Sequence, residues 1–203
     1  MRLRSRPIGA ILAGGAGVRI GGEKATVELH GKPLICYPLE TVGAVLNTVA
    51  ILAKAGTKLP PLAGVTVWIE PERPRHPLVG ITQALALSGG RPVLICAADL
   101  PFVTPDLVRR LIRADRRRAP AAVACARGTL QPLLGCYQPR ALELLAEAAR
   151  AGSAPVLETI ATIDPILVEA DDPEELFDVD TPDDLLQAAA MLDRRRAATL
   201  PPY

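Results

Sequence analysis

Aromatic residues are scarce in this chain of 203 residues, where Phe, Trp and Tyr together make up 3%. This scarcity argues against the aromatic platforms on which proteins stack the bases of single-stranded nucleic acid. The formal net charge is only +1, so the chain lacks a broad field of one sign that would attract nucleic acid or an acidic membrane. We therefore expect no nucleic acid and no membrane among its partners.

The usual metal-binding patterns and long apolar runs are lacking as well. There are two histidines, and none of the four cysteines (Cys36, Cys96, Cys125 and Cys136) forms a C-x-x-C pair, which argues against a structural zinc site. No apolar run approaches the ~20 residues of a membrane helix. The apolar stretch behind the basic N-terminus, residues 8–15, is too short and too rich in glycine for a signal peptide. We expect a soluble, cytoplasmic protein with buried, reduced thiols.

Short apolar runs alternate with helical patterns along the chain. We predict strands at 8–12, 48–52, 65–69, 92–97, 121–126, 133–137, 166–169 and 176–179. We predict helices at 33–45, 78–87, 105–117 and 140–151, a short one capped by Ser153, and a last one after Thr181. Strands that are apolar throughout are typical of a mostly parallel sheet covered on both faces. The prediction is an α/β, three-layer, doubly wound, Rossmann-like fold, with one domain at 1–195 and a loose tail at 196–203.

A glycine-rich loop, LAGGAGVRIGGEKA at residues 12–25, follows the first predicted strand. It is not a dinucleotide fingerprint, because Ile20 stands where the third glycine of G-x-G-x-x-G belongs. It is not a P-loop either, because Glu23 separates Gly22 from Lys24 and no hydroxyl follows the lysine. Both standard motifs fail at the residues on which their chemistry depends.

The residues of this loop nevertheless suit a triphosphate. Ala13, Gly14 and Gly15 let backbone N–H groups approach an anion closely. Arg19 offers a planar fork to phosphate oxygens and Lys24 offers a point charge. The alternative is a flexible glycine turn with solvated charges.

Several segments resemble the molybdenum cofactor guanylyltransferase family of nucleotidyltransferases, and they follow its order along almost the whole chain. The first is the loop LAGGAGVRIGGEK, which is similar to the family signature L-A-G-G-x-x-x-R-M-G-x-x-K. The others are VELHGKPL at 27–34, CAADLPFVTPDLVRRL at 96–111 and FDVDTPDDL at 177–185, with weaker matches in HPLVGITQAL and QPLLGCYQP. The resemblance implies the nucleotidyltransferase fold and transfer of GMP from GTP to the terminal phosphate of molybdopterin or the molybdenum cofactor. Cofactor-insertion proteins or apo-molybdoenzymes are the protein partners that it implies.

The resemblance also implies a set of site residues. Arg19, Lys24 and Asp99 are the expected catalytic residues, and Asp99, at the end of an apolar strand, is the expected ligand of Mg²⁺. Asp178 and Asp180 alternate around Val179, so in a strand they share a face and could complete the metal and acceptor-phosphate site. Their alternative role is to support the turn before a helix capped by Thr181. The expected nucleotide-binding residues are Leu12, Ala13, Gly14, Gly15, Arg19, Lys24, Lys54, Gly80 and Asp99. For Lys54, which follows the second predicted strand, a solvated surface lysine is the alternative.

Two other functions remain open on the sequence. The D-x-D-T-P segment at 178–182 looks more like the related cytidylyltransferases, whereas the second glycine of L-A-G-G and the D-L-P-F segment at 99–102 favour the guanylyl side. CTP-dependent transfer to the same cofactor, or nucleotidyl transfer to another small phosphate such as a sugar phosphate, is therefore the alternative activity. A non-catalytic nucleotide or cofactor carrier of the same fold is the alternative outside enzymes.

Overall fold

The computed structural model describes residues 6–14, 24–114 and 118–199, with Lys24, Ala198 and Thr199 described by their backbone alone. The strands are β1 (Ile8–Leu12), β2 (Glu28–Leu29), β3 (Lys32–Pro33), β4 (Val49–Ala53), β5 (Thr66–Ile69), β6 (Val93–Ala97), β7 (Ala121–Ala126), β8 (Thr129–Tyr137) and β9 (Ile166–Glu169). The helices are α1 (Cys36–Gly43), α2 (Pro77–Leu87), α3 (Pro105–Arg113), α4 (Ala141–Ala151), α5 (Val156–Thr162) and α6 (Pro182–Thr199).

The central sheet has seven strands in the order β5-β4-β1-β6-β8-β7-β9. The pairs β4–β5, β1–β4, β1–β6 and β7–β9 are parallel, and β8 runs antiparallel to both of its neighbours. The predicted mostly parallel α/β fold is therefore confirmed. Four parallel neighbours, β5-β4-β1-β6, end at one edge of the sheet, which is where ligands bind in folds of this kind.

Helices cover both faces of this sheet, as predicted. Side chains alternate along β1, so Ile11 joins the core shared with α1 and α3. Ala10 joins the core shared with α2, α4 and α5. These two buried clusters, which hold the strands between two helical layers, are the main hydrophobic stabilisation of the fold. None of the described helices combines the length and the apolar character required to cross a membrane.

Most predicted elements form close to their expected bounds, and two helix starts follow the expected capping chemistry. Thr104 accepts a hydrogen bond from the backbone N–H of Leu107 at 3.2 Å and begins α3. Thr181 and Asp184 form a reciprocal capping box at α6: the Thr181 hydroxyl accepts from the Asp184 N–H, and the Asp184 carboxylate accepts from the Thr181 N–H. α6 extends to Thr199, past the predicted boundary at 195, and residues 200–203 lie outside the described ranges. The division into one domain and a tail stays a prediction.

Three local predictions were wrong. The helix predicted over 33–45 begins only at Cys36, because residues 32–33 pair with β2 in a hairpin that turns at His30 and Gly31. Ser153 does not cap α5, whose first residue follows Pro155 with no side-chain cap. The strand predicted at 176–179 does not form, because Asp172 caps a short 3₁₀ helix, Pro173–Leu176, and residues 177–180 lie outside both described sheets.

Candidate active site

A cleft of about 310 Å³ opens at the carboxyl ends of the four parallel strands. Ala13 and Gly14 follow β1, Lys54 follows β4, Glu70 follows β5 and Asp99 lies two residues beyond β6. The beginning of α2 closes one side. Six predicted nucleotide-binding residues therefore line one cleft: Leu12, Ala13, Gly14, Lys54, Gly80 and Asp99.

The backbone after β1 is held on both sides before it enters the glycine loop. The Ala13 N–H donates to the Leu52 carbonyl at 2.8 Å, and the Leu12 carbonyl accepts from the Ala98 N–H at 3.0 Å. A Cβ on residue 14 would overlap the carboxylate of Glu70, so a larger residue there would require that side chain to shift. Gly15 and Arg19 lie outside the described residues. The Lys24 backbone begins a 3₁₀ helix, Lys24–Thr26.

An ion pair forms the floor of the cleft. The Lys54 ammonium lies 2.8 Å from Glu70 Oε1, and the two side chains are 12% and 10% exposed. Lys54 also donates to the Pro71 carbonyl at 2.8 Å, and the Glu70 N–H donates to the Ala53 carbonyl at 2.9 Å. Because breaking one partner of such a pair would leave a buried charge uncompensated, the two side chains hold each other in place. The residues of the pair therefore present a fixed acceptor and a fixed donor to the cleft.

The first turn of α2 packs against this pair. A Cβ on Gly80 would lie 3.2 Å from Leu12 Cδ1 and 3.5 Å from Glu70 Oε2, so the small residue lets the helix approach the carboxylate. His76 caps α2, its Nδ1 accepting from the Leu78 N–H at 3.4 Å. Because Nδ1 is the acceptor, a neutral His76 carries its proton on Nε2. Arg75, His76 and Pro77 also line the cleft.

Asp99 lies half-buried at the edge of the cleft. The Asp99 carbonyl accepts a hydrogen bond from the Val179 N–H at 3.0 Å. This bond holds Val179, which lies between Asp178 and Asp180, close to the end of β6. Val179 is buried, Asp178 is exposed and Asp180 is half-buried, but neither aspartate belongs to the cleft lining. Asp178 and Asp180 were predicted to share one face of a strand, but residues 177–180 form no strand. The alternative role of Thr181 as a helix cap is confirmed.

The chain matches a known protein family in its sequence. Residues 9–165 match the MobA-like NTP transferase domain. The chain is 34% identical over 197 residues to the molybdenum cofactor guanylyltransferase of Cereibacter sphaeroides, covering 92% of this chain and 97% of that protein. It belongs to the molybdenum cofactor guanylyltransferase family.

Another member agrees with this family, and a solved structure agrees with the fold. The chain is 30% identical over 188 residues to a probable molybdenum cofactor guanylyltransferase of Thermococcus gammatolerans, covering 88% of this chain and 96% of that one. Its fold matches the crystal structure of the molybdopterin-guanine dinucleotide biosynthesis protein A of Archaeoglobus fulgidus with a TM-score of 0.78. That match has 24% identity and covers 92% of this chain and 98% of the other. The predicted family, fold class and nucleotidyltransferase activity are thereby confirmed.

The chemistry of the cleft fits a magnesium ion in a guanylyltransferase. Among the described residues, no three His, Cys, Asp or Glu side chains gather into a metal site. Mg²⁺ that travels with a nucleotide needs only one or two carboxylates, since phosphate oxygens and water complete its shell. Asp99, at the cleft edge, can supply such a carboxylate.

Sequence reasoning missed Glu70, Arg75 and His76 as cleft residues. A signal for Glu70 was available, because it directly follows a predicted strand at 65–69 and therefore had to reach the edge where the glycine loop lies. The missed neighbours Arg75 and His76 follow in a connection of irregular structure. Its path to the cleft is set by the docking of α2 and not by any pattern in its own sequence.

Proposed function

We propose that this guanylyltransferase transfers GMP from GTP to the terminal phosphate of molybdopterin or the molybdenum cofactor and releases pyrophosphate. The observation that supports GTP as the nucleotide substrate is the position of the Glu70 carboxylate, which Lys54 holds at the floor of the cleft. The names of the relatives support the same nucleotide and acceptor.

The hydrogen-bonding edge of guanine is complementary to the Glu70 and Lys54 side chains. A carboxylate has two acceptor oxygens with about four lone-pair sites, so Glu70 can keep its bond to Lys54 and still accept from the adjacent N1–H and N2–H donors of guanine. A lysine has three N–H donors; Glu70 and Pro71 accept two of them, and the third can serve the guanine O6. Cytosine has one exocyclic amino donor beside a ring acceptor on this edge, so it cannot engage both carboxylate oxygens with adjacent donors.

The triphosphate would lie over the glycine loop. Backbone N–H groups from Gly14 onward would bind phosphate oxygens, since the Ala13 N–H already donates to the Leu52 carbonyl. Lys24 would hold the triphosphate and Arg19 would stabilise the charge on the leaving pyrophosphate. Asp99, with Asp178 or Asp180 as a candidate second ligand, would hold Mg²⁺. The bound ion would neutralise negative charge on the phosphates during transfer.

Transfer needs no covalent protein intermediate. An oxygen of the acceptor's terminal phosphate attacks the α-phosphorus of GTP in line, the new P–O bond forms as the bond to the β-phosphate oxygen breaks, and pyrophosphate leaves. Because both reactants are anionic, the residues of this chain act by alignment and by charge stabilisation. The cofactor-insertion proteins or apo-molybdoenzymes that take the product are proposed as its partners. The cytoplasm is the proposed location, which the four free cysteines support.

Pyrophosphate release tests this proposal. The protein is incubated with Mg²⁺, molybdenum cofactor and GTP, CTP or ATP in separate reactions. We expect release with GTP, dependent on both the cofactor and the metal. Release with CTP and not with GTP would assign the cytidylyl activity instead, and no release with any triphosphate would favour the carrier.

A further inference from the structure

A second, larger depression lies at the opposite edge of the sheet from the cleft. It has a volume of about 1310 Å³ and is bordered by the residues that precede three neighbouring parallel strands: Pro7 before β1, Thr48 before β4 and Pro92 before β6. β1 rises about 3.3 Å per residue, so roughly 20 Å separates Pro7 from Ala13 in the cleft. The ends of α1 and α3 complete the wall.

The depression is basic. Its lining contains four arginines, Arg6, Arg91, Arg109 and Arg113, and no Asp or Glu among the described residues that form it. The uncharged polar lining consists of Asn47, Thr48 and Gln138. Since the whole chain has a formal charge of only +1, this is a local concentration of positive charge and not a general property of the surface.

The arginines come from three separate segments, and part of this arrangement is fixed. Arg91 Nε donates to the Arg6 carbonyl at 2.9 Å and Arg91 Nη2 donates to the Pro7 carbonyl at 3.4 Å. These bonds hold the segment that carries Arg6 against the loop that carries Arg91. Arg109 and Arg113 lie one turn apart on α3 and are both exposed, so their guanidinium groups share a side of the helix.

We propose that this depression binds an acidic segment of a partner protein. Guanidinium groups form paired hydrogen bonds with carboxylates, and a strand-like peptide presents side chains to one surface about every 6.6 Å along its length. Such a peptide can reach arginines on all three segments, whereas a single small anion in a space of this size would contact few of them. A partner at this edge leaves the nucleotide cleft open, so docking and guanylyl transfer can occur together.

The test uses a fluorescein-labelled peptide of about ten glutamates, with fluorescence anisotropy measured in about 50 mM and about 150 mM NaCl. The test variant is Arg109→Glu with Arg113→Glu. The matched control is Arg127→Glu with Arg150→Glu, two exposed arginines outside the depression whose replacement changes the net charge equally. Thermal unfolding and pyrophosphate release with GTP are recorded for each protein.

We expect the wild type to bind the peptide at both salt concentrations and the test variant to bind about tenfold more weakly or worse, while the control stays within about twofold. Guanylyl transfer should be unchanged in both variants. If the test variant does not fold, Arg6→Glu alone should still weaken binding several-fold, because the Arg6 side chain is exposed.

Three results would overturn the proposal. One is an equal loss in test and control variants, which would reduce the effect to net charge. Another is the absence of peptide binding at about 150 mM NaCl. The third is tighter binding of inorganic tripolyphosphate or a labelled RNA oligonucleotide than of the peptide, when the test variant loses this binding and the control variant keeps it. The depression would then be a site for a phosphate-rich ligand.

Discussion

The Lys54 ammonium and the Glu70 carboxylate are 2.8 Å apart at the floor of the cleft, and each side chain is close to nine-tenths buried. They come from the ends of adjacent parallel strands, β4 and β5. Because the sheet places these ends side by side, a donor and an acceptor face the same cleft that Ala13 and Gly14 line.

Replacing Glu70 by Gln should weaken the recognition of the guanine base. The amide keeps the size of the side chain but loses the charge and one acceptor, and a hydrogen bond to a charged group contributes about 1.5–3 kcal/mol. We expect the KM for GTP to rise about tenfold or more. The preference for GTP over inosine triphosphate, which lacks the 2-amino group, should fall.

Steady-state kinetics with both nucleotides measure this effect, and Glu72→Gln is the matched control because Glu72 is exposed. An unchanged KM and an unchanged preference in the Glu70 variant would remove this carboxylate from base recognition.

Replacing Lys54 by Met should destabilise the fold. The change leaves Glu70 buried without its cation, which costs about 3 kcal/mol for a pair of this kind. The double variant Lys54→Met with Glu70→Gln should recover most of this loss, because it removes the remaining charge. Urea unfolding of the wild type, the two single variants and the double variant gives the coupling free energy between the two side chains. Additive losses would mean that the two side chains do not stabilise one another.

Replacing Gly14 by Ala should disturb the floor of the cleft. The new Cβ would overlap the Glu70 carboxylate, and overpacking of this kind costs about 1–3 kcal/mol. We expect lower stability and weaker GTP binding by calorimetry. Gly43→Ala is the control, since a Cβ there meets nothing within 4 Å. Similar effects of the two changes would argue against a close approach at Gly14.

Replacing Asp99 by Asn should reduce turnover about a hundredfold and raise the Mg²⁺ concentration needed for half-maximal rate. The backbone bond from Val179 to the Asp99 carbonyl does not depend on the side chain, so the fold should persist. Asp106→Asn, at an exposed position in the first turn of α3, is the control. Normal turnover and normal Mg²⁺ dependence in the Asp99 variant would contradict its assignment as metal ligand.

Alkaline pH should destabilise the protein through Cys125. Burial, together with its hydrogen bond to Glu169, raises the pKa of this thiol from 9.0 to about 11. The unfolded chain therefore releases the proton at lower pH than the folded one, so the stabilisation is complete below about pH 9 and is lost as the pH rises towards about 11. Urea unfolding across this range should show a shallower decline for Cys125→Ala, and an equal decline would exclude this thiol as a cause.

The sequence predicted those parts of the fold and cleft that depend on local pattern. Continuous apolar runs located β1, β7 and β9 at their observed bounds, and the cap of α3 followed from Thr104 and Pro105. The position of Asp99 at the cleft followed from its place after a buried strand.

Features set by tertiary contacts were not predictable in this way. The segment at 177–180 has the alternation of a strand, but a capped 3₁₀ helix before it and a bond to Asp99 place it outside the sheet. Nothing local in the sequence pairs Lys54 with Glu70, because their contact depends on the order of β4 and β5 in the sheet. That order is decided by packing of the whole domain.

Competition between equimolar GTP and CTP in one reaction, with Mg²⁺ and molybdenum cofactor, tests the central claim most directly. The mass of the dinucleotide product reports which nucleotide was transferred, and the product ratio gives the ratio of kcat/KM values. We expect the guanine dinucleotide to exceed the cytosine dinucleotide by about a hundredfold or more, since a site built for a base's hydrogen-bond donors rejects a base that lacks them. A product mixture near parity, or one dominated by the cytosine dinucleotide, would contradict the account.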